Sequence, residues 1–522
     1  MAITVVSLDE AAWDSLRSEL EYRQSNKTIV ENLLKHLREL GANGYILEDE
    51  YLDRDFTEAF AAFYARLFKR HTKLCRRLHF FSAKLENIQS LQSPEAVARW
   101  LESLQADYLG FVVLRPIHQA PLARAVLLAP PTSDDYESHV LVKAPYVTHV
   151  LGAEFTVCGL PMTQQDSRIG ACAQATIWSA ARHFHAKHRG PWISTVDITE
   201  AAMNGEYATV SAMLPNGSES LSLNGMVAAL RSAGRHPLMY TNNKSSAWRP
   251  ADIINRYVDS GIPVIIALGG DNGPGHAVVA SGQIFNKSVP DGEMPDRPTR
   301  AEFCAGFYIN DDQGGPNLRM TLDANDPSNE TEYGLSVEAR HLIIPLPDKV
   351  YLPAEKAESI AWDMLESYAD AWKGLCAQNA DKLGTSVDLG TAFVNEQTNT
   401  RVLARTYLTY GWRYKHRMLR NTCAPPVKEF VAEQELPKYV WVTEFGTLDS
   451  FGRPEMEERE IYAHCVVDAS AKNMGPDSRL FFHAPGFAVK RVHDSVKPEG
   501  DYKSYYAVIQ DDRPYRPKVR GR

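Results

Sequence analysis

At 522 residues, 44% of them hydrophobic and 23% charged, the chain exceeds the size one hydrophobic core sustains and reads as two or three ordinary soluble domains. Its formal net charge of −9 and pI near 6.0 exclude the basic excess of a general nucleic-acid binder, so no nucleic-acid partner is expected. The N-terminal segment lacks a basic stretch followed by an apolar run, and no run of about eighteen apolar residues occurs, which gives a cytoplasmic expectation with no membrane contact.

In chain order, residues 1–105 are expected to form a helical N-terminal region, clearest in DFTEAFAAFYARLF (55–68), where apolar residues recur at three- and four-residue intervals. Over 106–154 the texture changes to a β-rich connecting region with the runs YLGFVVLRP, RAVLLAPP and SHVLVKAPYVTHV. Residues 155–347 open with a helix at Cys172. Ser222 then caps LNGMVAALRSAG, which Gly234 ends, and Pro250 opens ADIINRYVDSG, which Gly261 ends. Strands follow at PVIIAL (263–268), HAVVASGQIF (276–285) and GFYIN (306–310). Helices first and locally joined strands second predict an α+β domain with a mainly antiparallel sheet.

Residues 348–522 read as an appended α+β region. A long helix covers EKAESIAWDMLESYADAWKGLC, with Ala361, Leu365, Tyr368, Trp372 and Leu375 on one face. A second helical stretch is expected in RVLARTYLTYGWRYKHRML, followed by three strands, PKYVWVTEF, REIYAHCVVDAS and RLFFHAPGFAVKRV.

The residues that carry chemistry lie in the middle region. A cysteine at the first residue of a helix has its thiolate favoured by the helix's positive end, and Cys172 is so placed. Seven and eight residues upstream stand Gln165 and Gln164. A glutamine amide there, with the backbone N–H of Cys172, can form an oxyanion hole. The loop GGDNGPG delivers His276 to the start of a strand, where a base can approach nucleophile and substrate. FYINDDQGG ends a strand in acidic residues, and Asp311 or Asp312 can accept from His276 Nδ1, leaving Nε2 for the thiol.

In their order these stretches resemble the papain-like cysteine peptidases, and within them the peptidase C39-like group of bacterial enzymes. The matching pieces are Gln165 to Cys172, Gly261-Ile-Pro-Val-Ile, Gly275-His-Ala-Val-Val-Ala-Ser-Gly and Asn310-Asp-Asp-Gln-Gly-Gly, all within residues 155–347. The resemblance implies a papain-like (C39-like) catalytic domain with a helical subdomain and an antiparallel sheet. It implies a nucleophile at Cys172, a base at His276, an orienting acid at Asp311 ahead of Asp312, and Gln165 in the oxyanion hole with Gln164 as rival. The substrate would be a protein or peptide, cut at a peptide or isopeptide bond, with no cofactor and no metal. The same triad also suits an acyltransferase or transglutaminase-like enzyme.

Three departures from the group are visible. Ala173 stands where Gly is usual and Gln174 where Pro is usual, which leaves a non-catalytic peptide-binding scaffold as an alternative. The gap between Gln165 and Cys172 is one residue longer than in papain-like enzymes generally, which keeps Gln164 as a rival. Residues 285–304 form a charged insertion expected to act as a lid or partner-binding flap.

Other features are read as structural. His183, His185 and His188 lack the four-residue spacing of a helical metal pair. KRHTKLCRR (69–77) reads as the solvated face of a helix. Seven cysteines without C-x-x-C pairs fit reduced thiols, with Cys158, Cys304 and Cys465 as core residues.

Overall fold

In the computed structural model the described residues are 3–21, 27–68, 70–85, 93–117, 120–133, 136–164, 172–204, 221–243, 248–269, 275–287, 294–378, 402–420, 425–447, 461, 463–472, 474–475, 478–484, 487–490 and 506–507. Elements are numbered in chain order.

The N-terminal part is built on a five-stranded antiparallel sheet, β1 (Ile3–Ser7), β2 (Gly44–Tyr51), β3 (Cys75–Phe81), β4 (Tyr108–Leu114) and β5 (Leu122–Leu127), in that spatial order. Four helices accompany it: α1 (Glu10–Glu21), α2 (Thr28–Glu39), α3 (Arg54–Ala62) and α4 (Pro94–Ser103). The amphipathic α2 buries Ile29, Val30, Leu33, Leu34 and Leu37 on one face. The stretch expected to be helical therefore also supplies three strands, and their sheet continues through β4 and β5 of the connecting region. These strands hide in the sequence because β2 ends in charged residues and β3 begins in the basic run. That run is not a helix: Cys75 is buried in β3, and Arg77 pairs with the buried Glu48 of β2.

The middle region holds a second antiparallel sheet. Its strands are β6 (Tyr136–Val140), β9 (His236–Thr241), β10 (Val264–Leu268), β11 (His276–Asn286), β12 (Cys304–Asp311), β13 (Gly315–Thr321) and β14 (Ala339–Leu346). Their order is β13-β12-β11-β10-β14-β9, with β6 also pairing β11. A hairpin, β7 (Ala144–Val150) and β8 (Ala153–Gly159), stands beside it. Helices α5 (Cys172–His188), α6 (Thr195–Asn204), α7 (Leu223–Ser232) and α8 (Pro250–Asp259) precede most of its strands. The expected punctuation holds: Ser222 Oγ accepts from Gly225 N at 3.2 Å, and Pro250 opens α8. Gly234 and Gly261 take φ of +72° and +71° at helix ends, a left-handed conformation that a side chain would strain.

In the C-terminal part the long helix α10 (Ala354–Gln378) buries Ala361 and Leu365 as its pattern predicts; α9 is the single turn Leu335–Glu338. The expected second helix is only half helix. Residues Val402–Tyr410 form β15, and helix α11 starts at Gly411 and runs to Leu419, followed by α12 (Pro425–Ala432). Every residue of β15 from Val402 to Thr409 is buried, so it has no alternation to separate it from a buried helix. β16 (Tyr439–Thr447), β17 (Ala463–Asp468), β18 (Arg479–Ala484), β19 (Phe487–Lys490) and β20 (Tyr506–Ala507) complete an antiparallel sheet in sequential order. RLFFHAPGFAVKRV thus folds as two paired strands rather than one.

All ladders between named strands are antiparallel, which makes the chain an α+β protein. The largest buried apolar cluster runs from Val142 to Val489 and crosses residue 347, so the C-terminal part shares a core with the middle region. No helix among the described residues is long and apolar enough to cross a membrane.

Candidate active site

Helix α5 is the element on which the site depends. Every residue from Ala173 to Phe184 is buried, because β11, α6, α7 and the β7 strand enclose it on all sides. Cys172, its first residue, is only half-buried. The thiol therefore sits at the helix's positive end, where backbone N–H groups have no intrahelical partner, on a segment that packing holds still.

Two adjacent strands bring the other groups to it. His276 is the first residue of β11 and Asp311 the last of β12, and the two strands pair antiparallel through Val279 and Asn310. Nε2 of His276 lies 2.9 Å from Oδ1 of Asp311, with both side chains almost fully buried. The Cys172 side chain is near enough to the ring to favour its charged form. The orientation reverses the expected one. Nε2, the nitrogen farther from the main chain, reaches across to the neighbouring strand, which leaves Nδ1 for the thiol.

Burial by itself would lower the pKa of His276. The hydrogen bond that Asp311 accepts and the nearby Cys172 side chain, with the charges of Asp311 and Asp312, outweigh it and raise the imidazole to about 11. Burial would likewise raise Asp311, yet the bond and charge of His276 and the backbone N–H groups of Gln313 and Gly314 hold it below the usual carboxylate range. Gln313 N donates to Asp311 Oδ1 at 2.9 Å.

Asp312 differs from its neighbour. It is 3% exposed, and neither of its oxygens finds a donor in another described residue. Burial raises it to about 7, helped by the charge of Asp311 and opposed by that of His276. Ligand atoms of His276, Asp311 and Asp312 all lie within 4.8 Å of one another, a spacing that can also hold a cation. A protonated imidazole already engaged by Asp311 offers such an ion no lone pair.

Several supports carry no sequence signal. Asn310 Nδ2 donates to the carbonyls of Leu160 and Pro161 at 3.1 and 3.3 Å, tying the chain ahead of the cysteine loop to the aspartate strand. The Tyr333 ring stacks on His276, centroids 5.7 Å apart and 21° between planes. From the N-terminal part, Asp55 accepts from Trp178 Nε1 at 3.1 Å and pairs with Arg182, both on α5. Asn32 of α2 donates to Gly314 O at 2.9 Å, just past the acidic turn. The N-terminal part thus braces both the cysteine helix and the aspartate turn.

Gln165 lies outside the described residues. Gln164 is buried, and its Oε1 accepts from Leu122 N at 3.1 Å, which holds it against β5. Of the 285–304 insertion, the described part is a strap rather than a lid. Arg297 pairs with Asp363 and Glu366 on α10, Ala404 N donates to Pro298 O at 3.0 Å, and Arg300 is buried over the Phe285 ring. Residues 288–293 of the insertion lie outside the described set.

The three α5 histidines have separate partners: His183 meets Gly261 O, His185 meets Gly190 O, and His188 meets the Tyr410 hydroxyl. Cys304 and Cys465 are buried as expected, whereas Cys158 is exposed because it points off the outer face of the β7–β8 hairpin. No protein-family model matches this chain, and no curated protein sequence matches it.

Proposed function

We propose that the chain is a papain-like, C39-like cysteine peptidase that cuts a peptide or isopeptide bond in the cytoplasm through Cys172, His276 and Asp311. One observation carries the reading. The His276 imidazole is hydrogen-bonded to Asp311 and interacts with a half-buried thiol at a helix start. A cationic imidazole against that sulfur stabilises negative charge on it.

The sulfur of Cys172 attacks the carbonyl carbon and the oxygen takes the charge, stabilised by the Cys172 N–H and a glutamine amide, for which Gln165 is the expected donor. As the C–N bond breaks, His276 gives its proton to the leaving amine. The neutral ring then removes a proton from water, which attacks the thioester and releases a carboxylate and the thiol. Asp311 holds the ring in register throughout and keeps its cation stable. Tyr333 limits ring rotation from the flank.

The test is alkylation of the full chain with limiting iodoacetamide near neutral pH, read residue by residue by mass spectrometry. Cys172 is expected to label well ahead of the other cysteines. Labelling of Cys172 no faster than exposed Cys158 would remove the activated nucleophile and the peptidase reading with it.

A further inference from the structure

The far end of α5 opens on a cavity of about 810 Å³, within the range of small-molecule sites. Phe184, Lys187 and His188 of α5 line it, joined by residues of the β6–β7 link, α8, β15, α11 and β16. A helix of seventeen residues is about 25 Å long, so this cavity is separate from the thiol at the other end.

Its chemistry is one-sided. Lys143, Lys187, Arg235, Arg413 and Lys438 all line it, against one carboxylate, Asp259. That carboxylate is already taken: Nε and Nη2 of Arg405 each lie 3.0 Å from one of its oxygens. Lys143, Arg235, Arg413 and Lys438 form no ion pair with any described acid, in a chain whose net charge is −9. Lys187 donates to Leu141 O at 3.2 Å.

A bland account is available for part of this. Helices α5 and α8 both end at the cavity, and helix C-termini attract cations by roughly 0.3–1 kcal/mol. That accounts for Lys187, which rides the last turn of α5. It does not account for Lys143, Arg235, Arg413 or Lys438, which come from four other places in the fold and repel one another. Their repulsion also registers on a neighbour: His188, an exposed residue at the cavity, is held below the usual histidine range by partial desolvation and by the charges of Lys187, Arg235 and Arg413. Like charges gathered without a counter-charge mark a site for an anion.

The walls add a second requirement. Arg235 lies over the Phe184 ring at 3.8 Å, and the rings of Tyr410 and Tyr439 stand 5.0 Å apart. The rest of the surface is largely apolar, with Pro145, Ile262 and Leu408. Several charges and a flat apolar body together exceed what a single carboxylate offers.

We infer that this cavity binds a small polyphosphorylated ligand carrying a flat ring, of the nucleoside triphosphate class, with its phosphates on the lysine and arginine groups and its ring against the tyrosines. The inference does not rest on the peptidase reading, because Cys172 takes no part in it.

Calorimetric titration of the full chain at physiological salt, with ATP, tripolyphosphate and adenosine as probes, tests it. ATP is expected to bind about tenfold or more tighter than tripolyphosphate, and adenosine not measurably. The exposed pair Arg413→Glu and Lys438→Glu together should weaken ATP by about tenfold or more with the melting temperature unchanged, while Cys172→Ala leaves ATP affinity as it was. Absence of ATP binding overturns the inference, as does ATP no tighter than tripolyphosphate, or unchanged affinity in the charge-reversed protein. Binding lost in Cys172→Ala would place the ligand at the other end of the helix and overturn it equally.

Discussion

Two clusters of buried charge stand within this chain, and they are built on opposite plans. Where β15 meets α8 and β16, Arg405 is held by Asp259 at 3.0 Å and by Glu444 at 3.2 Å. Glu444, fully buried, also accepts from the Tyr407 hydroxyl at 2.7 Å and from Arg417 at 3.1 Å. Next to it Arg256 grips Glu358 at 2.6 and 3.1 Å, and Thr406 completes that carboxylate. Every formal charge there faces an opposite one. Around His276 the count does not balance: one imidazole faces two carboxyl groups, and Asp312 has no donor in another described residue. Burying an ion costs several kcal/mol unless partners offset it. The first cluster is offset and holds two parts of the chain together, whereas the second keeps perturbed groups beside a half-buried thiol, the arrangement that chemistry requires.

The sharpest way to break the contrast is at its two centres. His276→Ala should slow alkylation of Cys172 near neutral pH by about 10²-fold or more. Its folding stability should also lose a pH dependence that the wild type has. A histidine raised from 6.5 to about 11 contributes stability in full below the lower value and loses it as pH rises through the upper one, so the variant's Tm should fall less between pH 7 and 11. Equal alkylation rates would refute the role given to the imidazole. Glu444→Ala has the opposite profile. It leaves Arg405 and Arg417 short of a counter-charge and should cost about 3–5 kcal/mol in urea unfolding, with Cys172 in the folded fraction alkylated as before. A stable Glu444→Ala protein with a sluggish thiol would erase the distinction between the clusters.

The candidate site residues were legible because each sits at an element boundary the sequence punctuates. Cys172 opens a helix, His276 follows a glycine loop, and Asp311 ends an apolar strand. What secures them was not legible, since it comes from far along the chain: Trp178 is 123 residues from Asp55, and Asn32 is 282 from Gly314. Single polar residues at such separations carry no periodicity. The fold shows the same limit. The caps at Ser222 and Gly234 could be read, but the strand Val402–Tyr410 could not, because burial on both faces removes the alternation that marks a strand. In the sequence Asp312 is only a rival to Asp311, since adjacent acids at a strand end look alike until their donors are known.

Asp312 is where the contrast can be tested most finely. Its carboxyl is raised from 3.8 to about 7, chiefly by burial, so the folded chain holds a proton that the unfolded chain has given up. Stability therefore falls as pH climbs from about 4 to about 7, and the full penalty applies above that window. Asp312→Asn removes the penalty while keeping the shape. The variant should melt higher than wild type at pH 8, by about 1 °C for each kcal/mol recovered in a chain of this length, and the gain should vanish below pH 4. It should also alkylate at Cys172 more slowly by a small factor, because the charge of Asp312 is one of those that hold the His276 proton. A gain at pH 8 with slower alkylation would make Asp312 a group kept at the expense of stability for its field on the imidazole. A loss of stability at pH 8 would mean that the carboxylate is paired after all, and the two clusters would then differ only in where they lie.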